Sequence, residues 1–236
     1  MLTRRDVPDA LFATDNDFGI PRLDPDLQAD YVHLPVLVWG SLKRNQVCRG
    51  TYCFYTDDYR FEALWSDPSG IVNSQCVAIV EPNFSISNQM VRAVSMHQIY
   101  RKRWLARFWQ THGIRTFVDL NVAPDRYYDN LLGVPRGWKA WMTRGYADGL
   151  HFLKHEYRIA TDHAETEDIL FAVYGGGRPV QELCTERAWI WIPETCDQRK
   201  GKFFVPAEVQ AQMPDAKETY INRGIFQTLR DARDWK

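Results

Sequence analysis

The chain has 236 residues, 45% hydrophobic and 25% charged, a globular composition that excludes disordered, fibrous and collagen-like classes. Its 29 basic and 30 acidic side chains leave a net charge of -1, so no overall basic field draws it to nucleic acid or to a membrane surface. The five cysteines, Cys48, Cys53, Cys76, Cys184 and Cys196, are odd in number, irregularly spaced and free of CxxC pairs, which argues against a disulfide framework or structural zinc and for a reducing compartment.

Arg4 and Arg5 open the chain, but Pro8 and Asp9 stand where a signal peptide needs an apolar core. No stretch approaches the roughly 18 apolar residues of a membrane span. The sequence therefore reads as a soluble, cytoplasmic protein. Residues 1–32, with three arginines against seven aspartates, form an acidic lead-in; residues 33–196 form an α/β body; residues 197–236, with eight basic and six acidic side chains, form a polar helical extension.

Seven short apolar runs punctuate the body: 33–39 (HLPVLVW), 50–55 (GTYCFY), 76–80 (CVAIV), 114–118 (IRTFV), 138–142 (WKAWM), 169–174 (ILFAVY) and 188–192 (AWIWI). They are rich in β-branched and aromatic residues and bounded by turn residues, as strands buried on both faces are. Helical stretches long enough for crossovers separate several of them. This βαβ rhythm predicts a largely parallel sheet, either open or rolled into an incomplete TIM-like barrel. Of the nine tryptophans, Trp39, Trp65, Trp104, Trp109, Trp138, Trp141, Trp189 and Trp191 fall inside these elements, where core packing is expected before base stacking.

The longest predicted helix runs from about Ser87 to His112. At 100° per residue Met90, Val94, Leu105 and Phe108 share one face, with Arg101 in its middle. Arg101 lies about 21 Å along the helix from Ser87, which places it near the rim opposite the strand carboxyl ends, as a structural ion-pair residue. Arg92, Arg103 and Arg107 fall on another face as a solvated basic stripe. His151 and His155 have the spacing of a metal pair, but both point away from the apolar side formed by Tyr146, Leu150, Leu153, Tyr157 and Ala160, so a surface pair is expected.

Five blocks stand out as a set: FGIPRL at 18–23, YTDDYRFEALW at 55–65, VEPNFSIS at 80–87, QIYRKRWLARFWQTHGI at 98–114 and VYGG at 173–176. As a set they resemble the DUF4417 family of unknown function, found in bacteria, archaea, phages and other mobile elements, over about residues 18–195. The resemblance implies a shared fold and a phage or mobile-element setting, and no established reaction. By this resemblance, relatives tend to carry Pro-Asp-Phe-Ser where this chain has Pro82-Asn83-Phe84-Ser85. Were that aspartate a metal ligand or general base, Asn83 would weaken or remove the activity here.

Ligands of parallel α/β folds sit at the carboxyl ends of the strands. Those ends supply Asp57 and Asp58, Glu81 and Asn83, Asp119 and Asn121, Thr143 and Arg144, and the glycines Gly175 to Gly177. Converging carboxylates suit Mg2+ or Mn2+, which meet substrate phosphates. Asp57, Asp58, Glu81 and Asp119 are thus expected as ligands or a general base, with Asp57 and Asp119 as the metal pair. Asn83 and Asn121 would orient substrate or water. Gly175, Gly176 and Arg178, or Arg144, would hold an anion, although the glycine run matches neither a Walker motif nor GxGxxG. The resulting expectation is a divalent-metal hydrolase acting on a phosphoester, nucleotide or nucleic-acid substrate. The alternative is a non-catalytic binding or assembly protein of a phage or plasmid system, using homo-oligomer contacts or a protein or nucleic-acid partner. No membrane partner is expected.

Overall fold

A computed structural model describes residues 12–40 and 49–194; the expected C-terminal extension lies outside the described residues. Each of the seven apolar runs forms a strand: β1 (Val36–Val38), β2 (Thr51–Cys53), β3 (Ala78–Val80), β4 (Arg115–Asp119), β5 (Ala140–Arg144), β6 (Leu170–Tyr174) and β7 (Ile190–Ile192). Runs such as VLV, AIV and IWI are buried at every position, so neither face of the sheet meets water and the alternation of a half-exposed strand is missing.

The strands pair in the order β1-β2-β3-β4-β5-β6-β7, and every pair is parallel. An open doubly wound sheet reverses its strand order at a switch point, and this one never does. Right-handed crossovers in one direction put all the helices on one side, and the bare side is covered only if the sheet rolls up. Two contacts show that it does: Tyr55, just after β2, stacks on Tyr174 of β6 at 5.5 Å, and Arg144 of β5 reaches the Tyr55 carbonyl at 3.5 Å. Strands β2 and β6 are separated by three others in the sheet, so their ends meet only across the mouth of a barrel. Of the two architectures left open by the sequence, the incomplete barrel is the one formed.

The crossovers are α1 (Ala63–Ser66) and α2 (Ser69–Asn73) between β2 and β3, α3 (Arg92–Gln110) before β4, α4 (Tyr127–Asn130) before β5, α5 (Leu150–Ala164) before β6 and α6 (Gly177–Arg187) before β7. Trp109, Trp138 and Trp141 are fully buried, and Trp39, Trp104, Trp189 and Trp191 nearly so, all in one continuous core. Residues 20–32 of the acidic lead-in belong to that core as well. Ile20, Leu23, Ala29 and Val32 are buried, Ala29 N donates to Thr116 O, and the Gln110 side chain brackets the backbone of Asp24. The segment lies against residues near the amino ends of β4 and β5, opposite the site described below.

Helix α3 departs from the expectation in three ways. It starts at Arg92 rather than Ser87, because Val91 takes the extended N-cap conformation (φ -62°, ψ 142°) and residues 81–90 rise away from β3 as a loop. Its inner face takes in Ser95, Ile99, Lys102, Arg103, Ala106, Trp109 and Gln110 beside the expected Leu105, while Val94 stays 44% exposed. Arg103, expected in a solvated stripe, is fully buried because two carboxylates wait for the cations of this face. Arg101 is an ion-pair residue as expected, 3.5 Å from Glu62 and 4.0 Å over the Phe84 ring. It does not lie at the opposite rim: its neighbour Lys102 binds Asp119 at the carboxyl end of β4, since ten helical residues, about 15 Å, are spent descending to that level.

Candidate functional site

A cavity of about 830 Å3 opens across the carboxyl ends of β2 to β5, within the size range of small-molecule sites. Thr56 and Asp57 follow β2; Asn83 and Ser85 to Asn88 come from the rising loop after β3; Asn121 to Pro124 follow β4. Arg144 closes β5, Tyr146, Asp148 and Gly149 form the next loop, and Phe152, Leu153 and Glu156 project from α5. Tyr55 and Tyr127 complete the wall. The structure therefore brings four of the expected residues, Asp57, Asn83, Asn121 and Arg144, to one cavity.

Beneath it lies a buried charge network. Asp119 and Glu81 are fully buried, and so are Lys102 and Arg103. Lys102 Nζ is 3.0 Å from Asp119 Oδ2 and 3.8 Å from Glu81 Oε2, and Arg103 pairs with the other Glu81 oxygen. Asp119 Oδ2 also accepts from Asn83 Nδ2 at 3.0 Å, while Oδ1 accepts from Tyr55 Oη at 3.2 Å and from the Asn121 amide at 3.1 Å. Asn121 Nδ2 in turn donates to Asn83 Oδ1 at 3.3 Å. Two carboxylates at this depth are tolerated because each has a cation and further donors. Burial first, then the nearby Asp119 charge, pushes the Tyr55 hydroxyl well above its ordinary value, so it stays a donor.

The expected metal pair is not assembled. Both Asp119 oxygens are taken by four donors, and Asp57 is exposed beside Arg60 at 3.7 Å. Among the described residues no group of three or more His, Cys, Asp or Glu side chains converges as a metal site. Asp58 accepts from Ser85 N and Oγ, both at 3.0 Å, and so ties the rising loop to the β2 side of the mouth. His151 and His155 face solvent as expected.

The glycine run lies outside the cavity. Gly175 O accepts from Trp191 Nε1 at 2.8 Å, and an added Cβ at Gly176 would meet Val180 and come 2.8 Å from the Gly145 backbone. These glycines let β6 turn tightly into α6 against the neighbouring loop. Arg178 is 86% exposed and pairs with Glu182 one turn on.

Glu156 was not singled out from the sequence, although it sits beside Leu153, Tyr157 and Ala160 on the apolar arc of α5, a placement that marks a buried carboxyl. It is 4% exposed and accepts from Tyr127 Oη at 3.2 Å through Oε1, while Oε2 is shut off from solvent on the side of the Thr143 hydroxyl. Burial first, and then the Asp119 charge, raises its carboxyl from 4.5 to about 8, against the opposing hydrogen bonds of Thr143 and Tyr127. At neutral pH it is mostly protonated, an acid at the wall of a cavity. Arg144 provides a cation there, one-third exposed, 3.8 Å from Glu194 and 5.5 Å over the Tyr146 ring.

Fold and site together define an incomplete parallel α/β barrel with a ligand-sized cavity across its mouth. The chain belongs to the DUF4417 family, described as a domain of unknown function, whose model matches residues 12–171. It is similar to the Gene 1 protein of Mycobacterium phage D29, 33% identical over 132 residues that cover 53% of this chain and 48% of that protein. It is also similar to the Gene 1 protein of Mycobacterium phage L5, 30% identical over 132 residues that cover 53% of this chain and 56% of that protein. The chain thus spans about half the length of these curated relatives. Both are phage proteins, in line with the setting the resemblance implied. No solved structure matches the chain. Among the described residues, no helix is long and apolar enough to cross a membrane.

Proposed function

We propose that the cavity at the mouth is the active site of an enzyme that takes a small phosphoester or nucleotide-type substrate. The observation that carries this reading is a buried carboxyl, raised by its burial to about 8, in the wall of a roomy cavity whose other polar lining is amides, hydroxyls, the exposed carboxylates Asp57 and Asp148, and one arginine. A group held in its acid form near neutral pH is suited to give a proton to a departing or developing anion. Arg144 supplies the charge that holds an anionic end of the substrate, and Asn121, Asn83 and Ser85 supply orienting hydrogen bonds. The network of Lys102, Arg103, Glu81 and Asp119 keeps the asparagine pair in place. A Mg2+ or Mn2+ ion arriving with a phosphate would meet Asp57 at the rim, not Asp119, whose oxygens are taken.

The test is thermal unfolding of the full chain with inorganic phosphate or nucleoside monophosphates, each in EDTA, Mg2+ or Mn2+. A ligand at a hundred times its Kd adds about 2.7 kcal/mol, a shift of several degrees. The reading expects such a shift, lost in Arg144→Ala and Asn121→Ala. A flat profile under every condition would overturn it and turn the search to a protein partner.

A further inference from the structure

The hydrogen bonds at the floor of the cavity run in one direction, and that direction fixes what the last side chain offers to a ligand. Asn83 Nδ2 donates to Asp119 Oδ2, which Lys102 also holds, and to the Asn121 carbonyl, both at 3.0 Å. Both partners are acceptors, so the Asn83 amide cannot turn over and both of its hydrogens are spent. Its Oδ1 therefore faces Asn121 and accepts from Asn121 Nδ2 at 3.3 Å. The Asn121 backbone is held as well, its N–H donating to Asp119 Oδ1. With Nδ2 committed to Asn83, the other amide atom of Asn121, Oδ1, is left over. Among the described residues it has no hydrogen-bond partner, and unlike the sealed polar atoms of the core it is open to solvent. Asn121 lines the cavity, so the open oxygen belongs to the cavity floor.

An open acceptor calls for a ligand donor. A phosphate brings acceptor oxygens, so it is matched by Arg144 and not by Asn121 Oδ1. A hydroxyl group supplies the missing hydrogen. Its place relative to the phosphate follows from Tyr55, because Arg144 reaches the Tyr55 carbonyl at 3.5 Å while the Tyr55 hydroxyl donates to the same Asp119 oxygen as the Asn121 amide. The cation and the open acceptor thus stand near opposite ends of one tyrosine. In a nucleoside 5′-phosphate the sugar lies between phosphate and base, so the donor at that separation is a sugar hydroxyl.

We propose that Asn121 is the specificity-determining residue of the pocket: its Oδ1 accepts a hydrogen bond from a sugar hydroxyl of the substrate while Arg144 holds the phosphate. Asn83, whose polar atoms are committed to Asp119 and Asn121, is the positioning residue that keeps this oxygen turned to the cavity. The proposal rests on the nucleotide-type reading above and narrows it to substrates that keep their sugar hydroxyls.

The test is calorimetric titration of the full chain with AMP and with 2′,3′-dideoxy-AMP, which differ only in the two sugar hydroxyls. Wild type binds AMP at least about tenfold tighter, since the analogue leaves the Asn121 acceptor desolvated and unpaired. This comparison needs no variant. In Asn83→Ala the Asn121 amide is no longer fixed, and the preference for AMP falls at least about threefold, the cost of ordering one side chain on binding. The loss is in AMP affinity, with the analogue unchanged; a merely structural role for Asn83 would weaken both ligands together and keep their ratio. Equal binding of AMP and the analogue by wild type overturns the hydroxyl contact and leaves the phosphoester pocket standing, because both ligands keep the phosphate. An unchanged ratio in Asn83→Ala overturns the positioning role. Failure of both nucleotides to bind, with inorganic phosphate also silent, overturns the proposal together with the reading beneath it.

Discussion

Glu156→Gln should stabilise the protein, and by an amount that grows with pH. The carboxyl is held at about 8 in the fold against an ordinary 4.5. Between those values the folded chain binds more protons than the unfolded chain, so stability falls as pH rises through that window. Each unit of difference is worth about 1.36 kcal/mol. The wild type therefore loses about 3 kcal/mol by pH 7 and up to about 5 kcal/mol above pH 8, relative to its acid limit. Glutamine is nearly isosteric, keeps the acceptor for Tyr127 and does not ionise. The two proteins should be equally stable within about 1 kcal/mol near pH 4.5 and diverge from there, the variant ahead, until the gap levels off above pH 8. Urea unfolding of both proteins at one-unit pH steps measures the gap directly, because other titrating groups cancel in the difference. A gap that stays constant with pH would refute the reasoning, and with it the protonated acid on which the proposed chemistry depends.

Other substitutions separate the structural parts of the site from its exposed parts. Lys102→Met leaves Asp119 without its cation in a fully buried position and should cost about 3 to 5 kcal/mol in urea unfolding, whereas Asp57→Ala, at an exposed residue, should stay within about 0.5 kcal/mol. Gly176→Ala should cost at least about 2 kcal/mol, since φ is +78° and the new methyl would press on Val180 and the Gly145 backbone. Gly177→Ala, with φ +67° and open space around it, should cost only about 1 kcal/mol by the same measurement. Arg178→Ala should leave both stability and ligand shifts unchanged, as expected of a solvent-facing i,i+4 pair.

All seven strands were legible as apolar runs because burial on both faces leaves its mark in consecutive residues, as in AIV and IWI. Barrel closure was not, since it depends on strand order and on a contact such as Tyr55 with Tyr174, 119 positions apart in the chain. The location of the cavity followed from the strand ends, and Asn83, Asn121, Arg144 and Asp57 are found there. The roles of Glu81 and Asp119 did not follow, because an acidic residue after a strand looks the same whether it faces a ligand or a buried lysine. The error at Arg103 has the same origin: helical periodicity treats a cation as an outward residue, and only the opposing Glu81 makes the inside favourable. Glu156 was within reach of periodicity, since it shares the buried arc of α5 with Leu153, Ile159 and Ala160, but a glutamate reads by default as an outward residue. Ser87 and Asn88 enter the cavity because α3 begins later than its sequence suggests.

The central claim, that ligand is bound across the carboxyl ends of β2 to β5, is tested most directly by amide hydrogen exchange of the full chain with and without saturating AMP. The account predicts added protection in residues 55–57, 83–88, 121–127 and 144–156, with the glycine turn at 175–178 and the amino-end residues 25–31 unchanged. Protection centred on either of those two regions, with the mouth unaffected, would contradict it.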